Sequence, residues 1–409
     1  MKKKMIKTVM VLSVVSLFSS VIVFLFLPVL ASTLSLSAFA DYSFYYAATG
    51  VFASVCLFGA PASFSIAAAE KNKLNEIEVV RFLVSSNVIV VATSSVIILI
   101  LILFFKQPWG LIFIPLLVAS RSFFIQISHY FRVYQRVKSF SAYQLLTLTT
   151  VFVFPLIVAS YVDLKGLEFI SLMTLVMVIS VLVGSQSLKK DGLLKFRLRN
   201  PYRSFCAKFG FYSAAHSFMA ALITVADRFI LKAYIDKEQF AVYSLAATLA
   251  SALGLVFATV NQNMTPEFYK EMKETSKHWQ VLFKYFSFYM AFVFIVSGFY
   301  QLLIADVVSF FFPESYQDAI PYARWLAVGA MIQGSYFFAS ALLMFLQRSD
   351  RLFFITGTVG SVGLVSGILM YQWLGVFGVV YSYIFVWLLF SAATYFTGYK
   401  CVKEYISNA

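Results

Sequence analysis

"LKKDGLLKFRLRNPYRSFCAKFG", residues 188–210, carries seven basic residues against one acid and interrupts a chain that is otherwise a succession of apolar runs. What the interruption means depends on the solvent around those runs. Of 409 residues, 61% are hydrophobic and 12% charged, whereas a soluble domain has roughly 25% charged residues. A soluble chain of this length buries a large core, but it cannot hide this much apolar surface from water. The composition therefore describes an all-α polytopic membrane protein.

A spanning helix needs about 20 mostly apolar residues. Runs of that kind predict twelve transmembrane helices, at 8–31, 42–69, 82–105, 109–130, 142–162, 167–187, 209–231, 240–262, 283–305, 320–346, 352–373 and 376–399. They are continuous rather than alternating, which argues against a membrane β-barrel. The opening MKKKMIK, an apolar run and Ala38-Phe39-Ala40 imitate a secretory signal peptide. Signal cores stop near about 15 residues and this run passes that length, so it reads as a retained first helix.

The quoted stretch falls between the sixth and seventh spans. It divides the chain into an N-terminal six-helix bundle (1–187), a basic linker (188–208), a C-terminal six-helix bundle (209–399) and a short tail (400–409). "YYAATGVFASVCLFG" from Tyr45 and "YSLAATLASALGLVF" from Tyr243 each fall in the second span of their half. An even number of spans separates them, so the halves read as parallel repeats about an axis normal to the membrane. If Lys2 to Lys7 lie in the cytoplasm, all other Lys and Arg follow them except Lys106, Lys165, Lys232 and Lys237 outside and three arginines within spans. That asymmetry places both termini in the cytoplasm. The net charge of +14 is then a topogenic signal and a contact with anionic membrane lipids, not a nucleic-acid footprint.

Chemistry-bearing motifs are absent from the sequence. There is no P-loop, HExxH, GxSxG or paired CxxC, so no catalytic residue, metal or cofactor is expected. Cys56 falls in a span and Cys206 and Cys401 on the cytoplasmic side, where thiols stay reduced.

What remains is charge within the spans, which is expensive and marks function by default. Arg121 falls about twelve residues into the fourth span, with Ser128 and Arg132 returning to nearly the same face. The stripe either lines a cavity or belongs to a shifted helix from which Arg121 snorkels. His216 and Asp227, eleven residues apart in the seventh span, share a face, and Arg228 is turned about 100° from its acidic neighbour. The adjacent pair therefore cannot meet squarely. Asp227 and Arg228 either line a cavity or bridge at the interface, and His216 either responds to protons or is hydrogen-bonded in the core. Arg324 in the tenth span shares a face with Ser335, while Gln333 stacks with Tyr322 on an adjacent one; Asn261, Gln262 and Asn263 close the eighth.

These residues also carry a likeness. "LPVLASTLSLSAFADYSFYYA" and "CLFGAPASFSIAAAEKNK" near the N-terminus resemble the first two helices of the bacterial polysaccharide-transport family, the O-antigen and lipid-linked oligosaccharide flippases. "ADRFILKAYIDKEQFAVYSLAATLA" is similar to the segment with that family's Asp-Arg, and "NQNMTPEFYKEMKE" to its Pro-containing helix exit. The likeness is close for helices one, two, seven and eight, and one of hydropathy elsewhere. It implies two six-helix bundles around a central cleft, the architecture of the superfamily that also holds multidrug and toxin extruders.

The implied activity is movement of undecaprenyl-diphosphate-linked oligosaccharide to the outer leaflet by alternating access, with no enzymatic step. On that reading Arg121, Arg228 and Arg324 make the cleft positive for the diphosphate. His216 and Asp227 tune it or couple it to ions, and Asn261, Gln262, Asn263 and Gln333 offer sugar contacts. The polymerase and glycosyltransferases of the same pathway are the candidate protein partners. Two rivals are an ion-coupled multidrug or metabolite antiporter and a glycan-modifying acyltransferase. The first six spans hold no mid-membrane acid, since Asp41 and Glu70 lie at ends, and His216 is the only deep histidine an acyltransferase would have.

Overall fold

The structure is a computed structural model and describes residues 14–15, 18, 22, 24–57, 76–104, 112–134, 136–192, 194, 203–346 and 348–407. The N-terminal basic run, the later part of the second predicted span, Glu70 and much of the basic linker lie outside the described residues. One helix stands at each of the twelve predicted positions: α1 Phe24–Thr33, α2 Leu36–Cys56, α3 Glu76–Phe104, α4 Phe113–Val133, α5 Val137–Ala159, α6 Gly166–Lys190, α7 Arg203–Tyr234, α8 Lys237–Glu274, α9 His278–Phe311, α10 Ala319–Phe345, α11 Ser349–Leu374 and α12 Val376–Ser407. Among the described residues there is no strand. Among the described residues, eight helices are long and apolar enough to cross a membrane by length and composition. The exposed side chains of α9, including Phe283, Phe288, Phe299 and Phe310, are those of a lipid-facing surface.

Several helices outrun their apolar spans, and α8 does so furthest. Asn261, Gln262 and Asn263 do not close it, because it continues to Glu274. Hydropathy loses the helix where charge begins, but the extension has an apolar stripe of its own. Phe268 and Met272, spaced i and i+4, are buried in one cluster with Phe338 and Val402, and the Tyr269 hydroxyl donates to the Ala341 carbonyl at 2.6 Å.

The chain divides into two compact units, Met1–Ala221 and Leu222–Ala409, with the division inside α7. In the first unit α4 packs on α2 and α6, and α5 on α6. Gly166 begins α6 against the first turns of α2, where an added Cβ would stand 2.3 Å from the Ala38 carbonyl oxygen. In the second unit α10 is packed by α8, α9 and α12. Its fully buried Ala319, Ala323, Ala327 and Ala330 permit close helix approach. On α11, Gly363 and Gly367 fit against Val386 and Ile230, whereas Gly357 faces open space.

The exit of α6 is clamped by its neighbours. Gly192 takes φ 69° after the last turn, as an αL helix cap requires. Asp191 accepts from the Tyr130 hydroxyl at 2.7 Å and pairs with Arg136 at 2.9 Å, while Arg81 Nε donates to the Gly192 carbonyl at 3.0 Å. The Tyr130 hydrogen bond, with help from Arg136, holds the Asp191 carboxyl below its usual range. A lowered folded pKa contributes stability above the ordinary carboxylate value, which is lost as pH falls through the lowered one. The wild-type melting temperature should therefore drop in that acid window, and Asp191→Asn should remove part of the drop. The effect is small because both side chains are partly solvated. An acid-side slope unaltered in Asp191→Asn would contradict it.

Candidate functional site

Asp227 and Arg228 sit together on α7, where the guanidinium charge attracts the carboxylate without a direct side-chain hydrogen bond between them. Two residues, Ile235 and Asp236, join α7 to α8, and the Asp236 carboxylate caps α8 by accepting the Gln239 N–H at 2.8 Å. So short a link folds α8 back along α7. It brings Tyr243 and Thr248 beside the acid and the base. The Tyr243 hydroxyl donates to Asp227 Oδ2 at 2.6 Å, and the Arg228 backbone N–H donates to Oδ1 at 2.8 Å. Both carboxylate oxygens are thus occupied without the guanidinium.

Arg228 turns elsewhere, as the 100° step between adjacent helical residues demands. Its Nη2 donates to Thr248 Oγ1 at a long 3.5 Å, and its Nε is buried with no partner. Among the described residues no carboxylate forms an ion pair with it. The residue is 9% exposed, Asp227 5% and Tyr243 0%. A buried donor left unpaired carries a penalty of about 1–3 kcal/mol, more when the group is charged. An oxyanion reaching Nε would recover that penalty.

The first unit holds a second arginine under different terms. Arg121 on α4 donates through Nη1 to the Tyr46 carbonyl at 2.8 Å and to Thr49 Oγ1 at 2.7 Å, with its guanidinium 4.3 Å from the Tyr46 ring centroid. Such stacking contributes about 0.5–2 kcal/mol. A Cβ at Gly50 would meet Nη2 at 3.5 Å, an ordinary van der Waals contact. No carboxylate pairs with Arg121 among the described residues. The polar stripe drawn from Arg121 through Ser128 to Arg132 divides in space. Arg121 turns to α2, Arg132 lies over the Phe140 ring of α5 at 5.2 Å, and Ser128 is buried with its hydroxyl unpartnered.

The remaining candidates disperse. Arg324 is exposed on α10, and its backbone carbonyl accepts from Gln301 Nε2 at 2.8 Å. His216 is half buried on α7, eleven residues before Asp227 in the sequence. Asn261 is buried and donates to the Phe337 carbonyl at 3.1 Å, with its Oδ1 unpartnered, and Gln333 is buried beside Gly254. These two amides lie in the packing of α8 and α10, while Gln262 and Asn263 are exposed. Tyr46, Thr49, Tyr243 and Thr248 complete the two arginine sites and were not singled out from sequence. All four stand in or beside the two stretches that echo each other, which was the available signal.

Comparison with known proteins agrees with this architecture. The profile of the family described as "Polysaccharide biosynthesis protein" matches residues 5–272. No curated protein sequence matches significantly. The chain is similar to an outward-facing multidrug resistance MATE family transporter of the MOP superfamily, with TM-score 0.73 and 16% identity over 98% of this chain and 96% of that one. An inward-facing structure of such a transporter matches with TM-score 0.69 and 14% identity, over 97% and 98% of the two chains. A Vibrio cholerae MATE transporter in the bent form gives 0.63 and 12%, over 97% of each. At such identities the likeness is one of fold, a MATE-type fold with two repeated halves.

Proposed function

We propose, since this chain belongs to the polysaccharide biosynthesis protein family, that it is a flippase for undecaprenyl-diphosphate-linked oligosaccharide, carrying the repeat unit of an O-antigen or other surface polysaccharide to the outer leaflet. It works by alternating access, as a transporter and not an enzyme. A diphosphate cannot cross hydrocarbon unaided, because its charge has no compensation there. Guanidinium groups supply that compensation through charge-assisted, often bidentate hydrogen bonds.

The observation that carries the reading is the buried Arg228, whose Nε is unpartnered although an acid is its immediate neighbour. Arg121, likewise in no ion pair with a carboxylate among the described residues, is the second cation of the scheme. The bias of Lys and Arg supports a cytoplasmic location for both termini. The test is translocation of a fluorescent lipid-linked oligosaccharide by the purified chain in proteoliposomes. Movement above protein-free vesicles supports the flippase; its absence from folded, correctly inserted protein rejects it.

A second reading, ion-coupled export of a small cationic compound, has one observation in its favour. Asp227 puts a buried carboxyl on α7 of the second unit, a group able to exchange a proton or a metal cation for a cationic solute. Drug efflux that follows an imposed ion gradient in the same vesicles, without movement of the lipid-linked sugar, would establish it.

A further inference from the structure

Residues 47–49 and 246–248 both read Ala-Ala-Thr, and the two threonines stand 199 positions apart. Thr49 is the fourteenth residue of α2 and Thr248 the twelfth of α8, the second helix of each half. Both hydroxyls are held in the same way. Thr49 Oγ1 donates to the Tyr46 carbonyl at 2.9 Å, and Thr248 Oγ1 to the Ser244 carbonyl at 2.7 Å. With its proton committed to the helix, each oxygen can only accept from other groups. Each accepts from an arginine: Thr49 from Arg121 Nη1 at 2.7 Å, Thr248 from Arg228 Nη2 at 3.5 Å.

The arginines themselves do not repeat. Arg121 is on the fourth helix of its half and Arg228 on the first of the other. What recurs is the threonine, reached by a guanidinium from a different helix each time. A threonine hydroxyl bonded back to its own helix is common and by itself means little. The recurrence of a buried or half-buried arginine on its outward lone pair, with no carboxylate among the described residues in ion-pair contact with either, is the unexplained part.

We propose that Thr49 and Thr248 are positioning residues for two stations, one in each half, where an oriented guanidinium receives a phosphate-type oxyanion. This rests on the flippase reading and names the diphosphate as the group recognised. In the station of the second unit Arg228 Nε and the hydroxyl of Ser244, one turn before Thr248, are both buried without partners, and both are donors that an oxyanion accepts from. The station of the first unit is held more tightly, by the Tyr46 carbonyl and ring as well as by Thr49.

The test uses the full chain in lipid nanodiscs, with inorganic pyrophosphate and a bilayer-anchored polyprenyl diphosphate as probes. Thr49→Val and Thr248→Val should each weaken diphosphate binding about tenfold, the loss of one hydrogen bond to a charged group. They should raise KM for lipid-linked oligosaccharide with little change in kcat or melting temperature. Thr49→Ser and Thr248→Ser keep the hydroxyl and should bind within about twofold of wild type. In an Arg228→Ala background Thr248→Val should have no further effect. Affinity for the polyprenyl diphosphate alone identifies a lipid headgroup as the ligand, and affinity for both probes a free diphosphate as well.

Valine variants that bind as wild type does, in a protein that still flips its substrate, overturn the inference and leave the flippase reading standing. So do serine variants as weak as the valine ones. A wild type that binds neither probe and moves no lipid-linked sugar removes both.

Discussion

Arg228→Ala is expected to slow translocation of lipid-linked oligosaccharide about a hundredfold with at most a small fall in melting temperature. Truncating one partner of a buried charged contact costs about 2–5 kcal/mol of binding, and about 1.4 kcal/mol corresponds to a factor of ten. The stability half of the expectation follows from the bonds of Asp227. Its oxygens accept from the Tyr243 hydroxyl and from a backbone N–H, and both survive the substitution. Asp227 keeps these two hydrogen bonds while losing the attraction of the neighbouring guanidinium, and a buried unpaired Nε is removed, so the two changes offset each other in part. Arg228→Lys should recover only part of the rate, since an ammonium lacks the planar fork that meets a diphosphate bidentately. Wild-type transport by Arg228→Ala, or a fall of several degrees in its melting temperature, would show the charge to be structural.

The second large effect concerns folding. Leu374 ends α11 and Val376 begins α12, so the whole reversal is made by Gly375. Gly375 adopts φ 59°, ψ −139°, a region almost confined to glycine, and its N–H donates to the Tyr371 carbonyl at 2.8 Å. Three residues on, a Cβ at Gly378 would lie 1.9 Å from the Met370 carbonyl oxygen and 2.4 Å from its carbon. Those are backbone atoms, so nothing flexible can yield. Gly378→Ala must push the end of α11 from the start of α12, and overpacking of this kind costs about 3 kcal/mol or more. Loss of folded protein in detergent, read as a lower melting temperature and yield, is the expected result. Gly357→Ala, where a Cβ meets nothing within 4 Å, should be neutral or slightly stabilising and serves as the control. Equal melting temperatures for the two variants would contradict this account.

The tight turn shows how far sequence reading reaches in a membrane protein. Leu374 and Gly375 were visible as the shortest link, because a break between two apolar runs is a local property of the chain. The exact packing of Gly378 against Met370 was not, because it depends on how closely two helices approach. Helix ends behaved similarly. The apolar runs marked where α8 and α12 cross the bilayer region, yet both helices continue beyond them, held by Phe268, Met272 and Val402 in a cluster no hydropathy window contains.

The two arginine sites divide along the same line. Arg121 and Arg228 stood out because a guanidinium among apolar residues is anomalous wherever the chain folds. Their partners did not, since tyrosine and threonine are unexceptional in a membrane helix until something charged is set against them. Thr49 is 72 positions from Arg121, and Thr248 is 20 from Arg228.

By itself, then, the sequence determined the solvent and the helices, because burial in lipid is enforced residue by residue along each apolar run. Only the tertiary structure decided which buried charges are satisfied. Asp227 is satisfied by Tyr243 and a backbone N–H, whereas Arg228 beside it keeps a free donor. That difference depends on distances of a few tenths of an ångström between helices, and helical periodicity fixes the direction of a side chain but not what waits there.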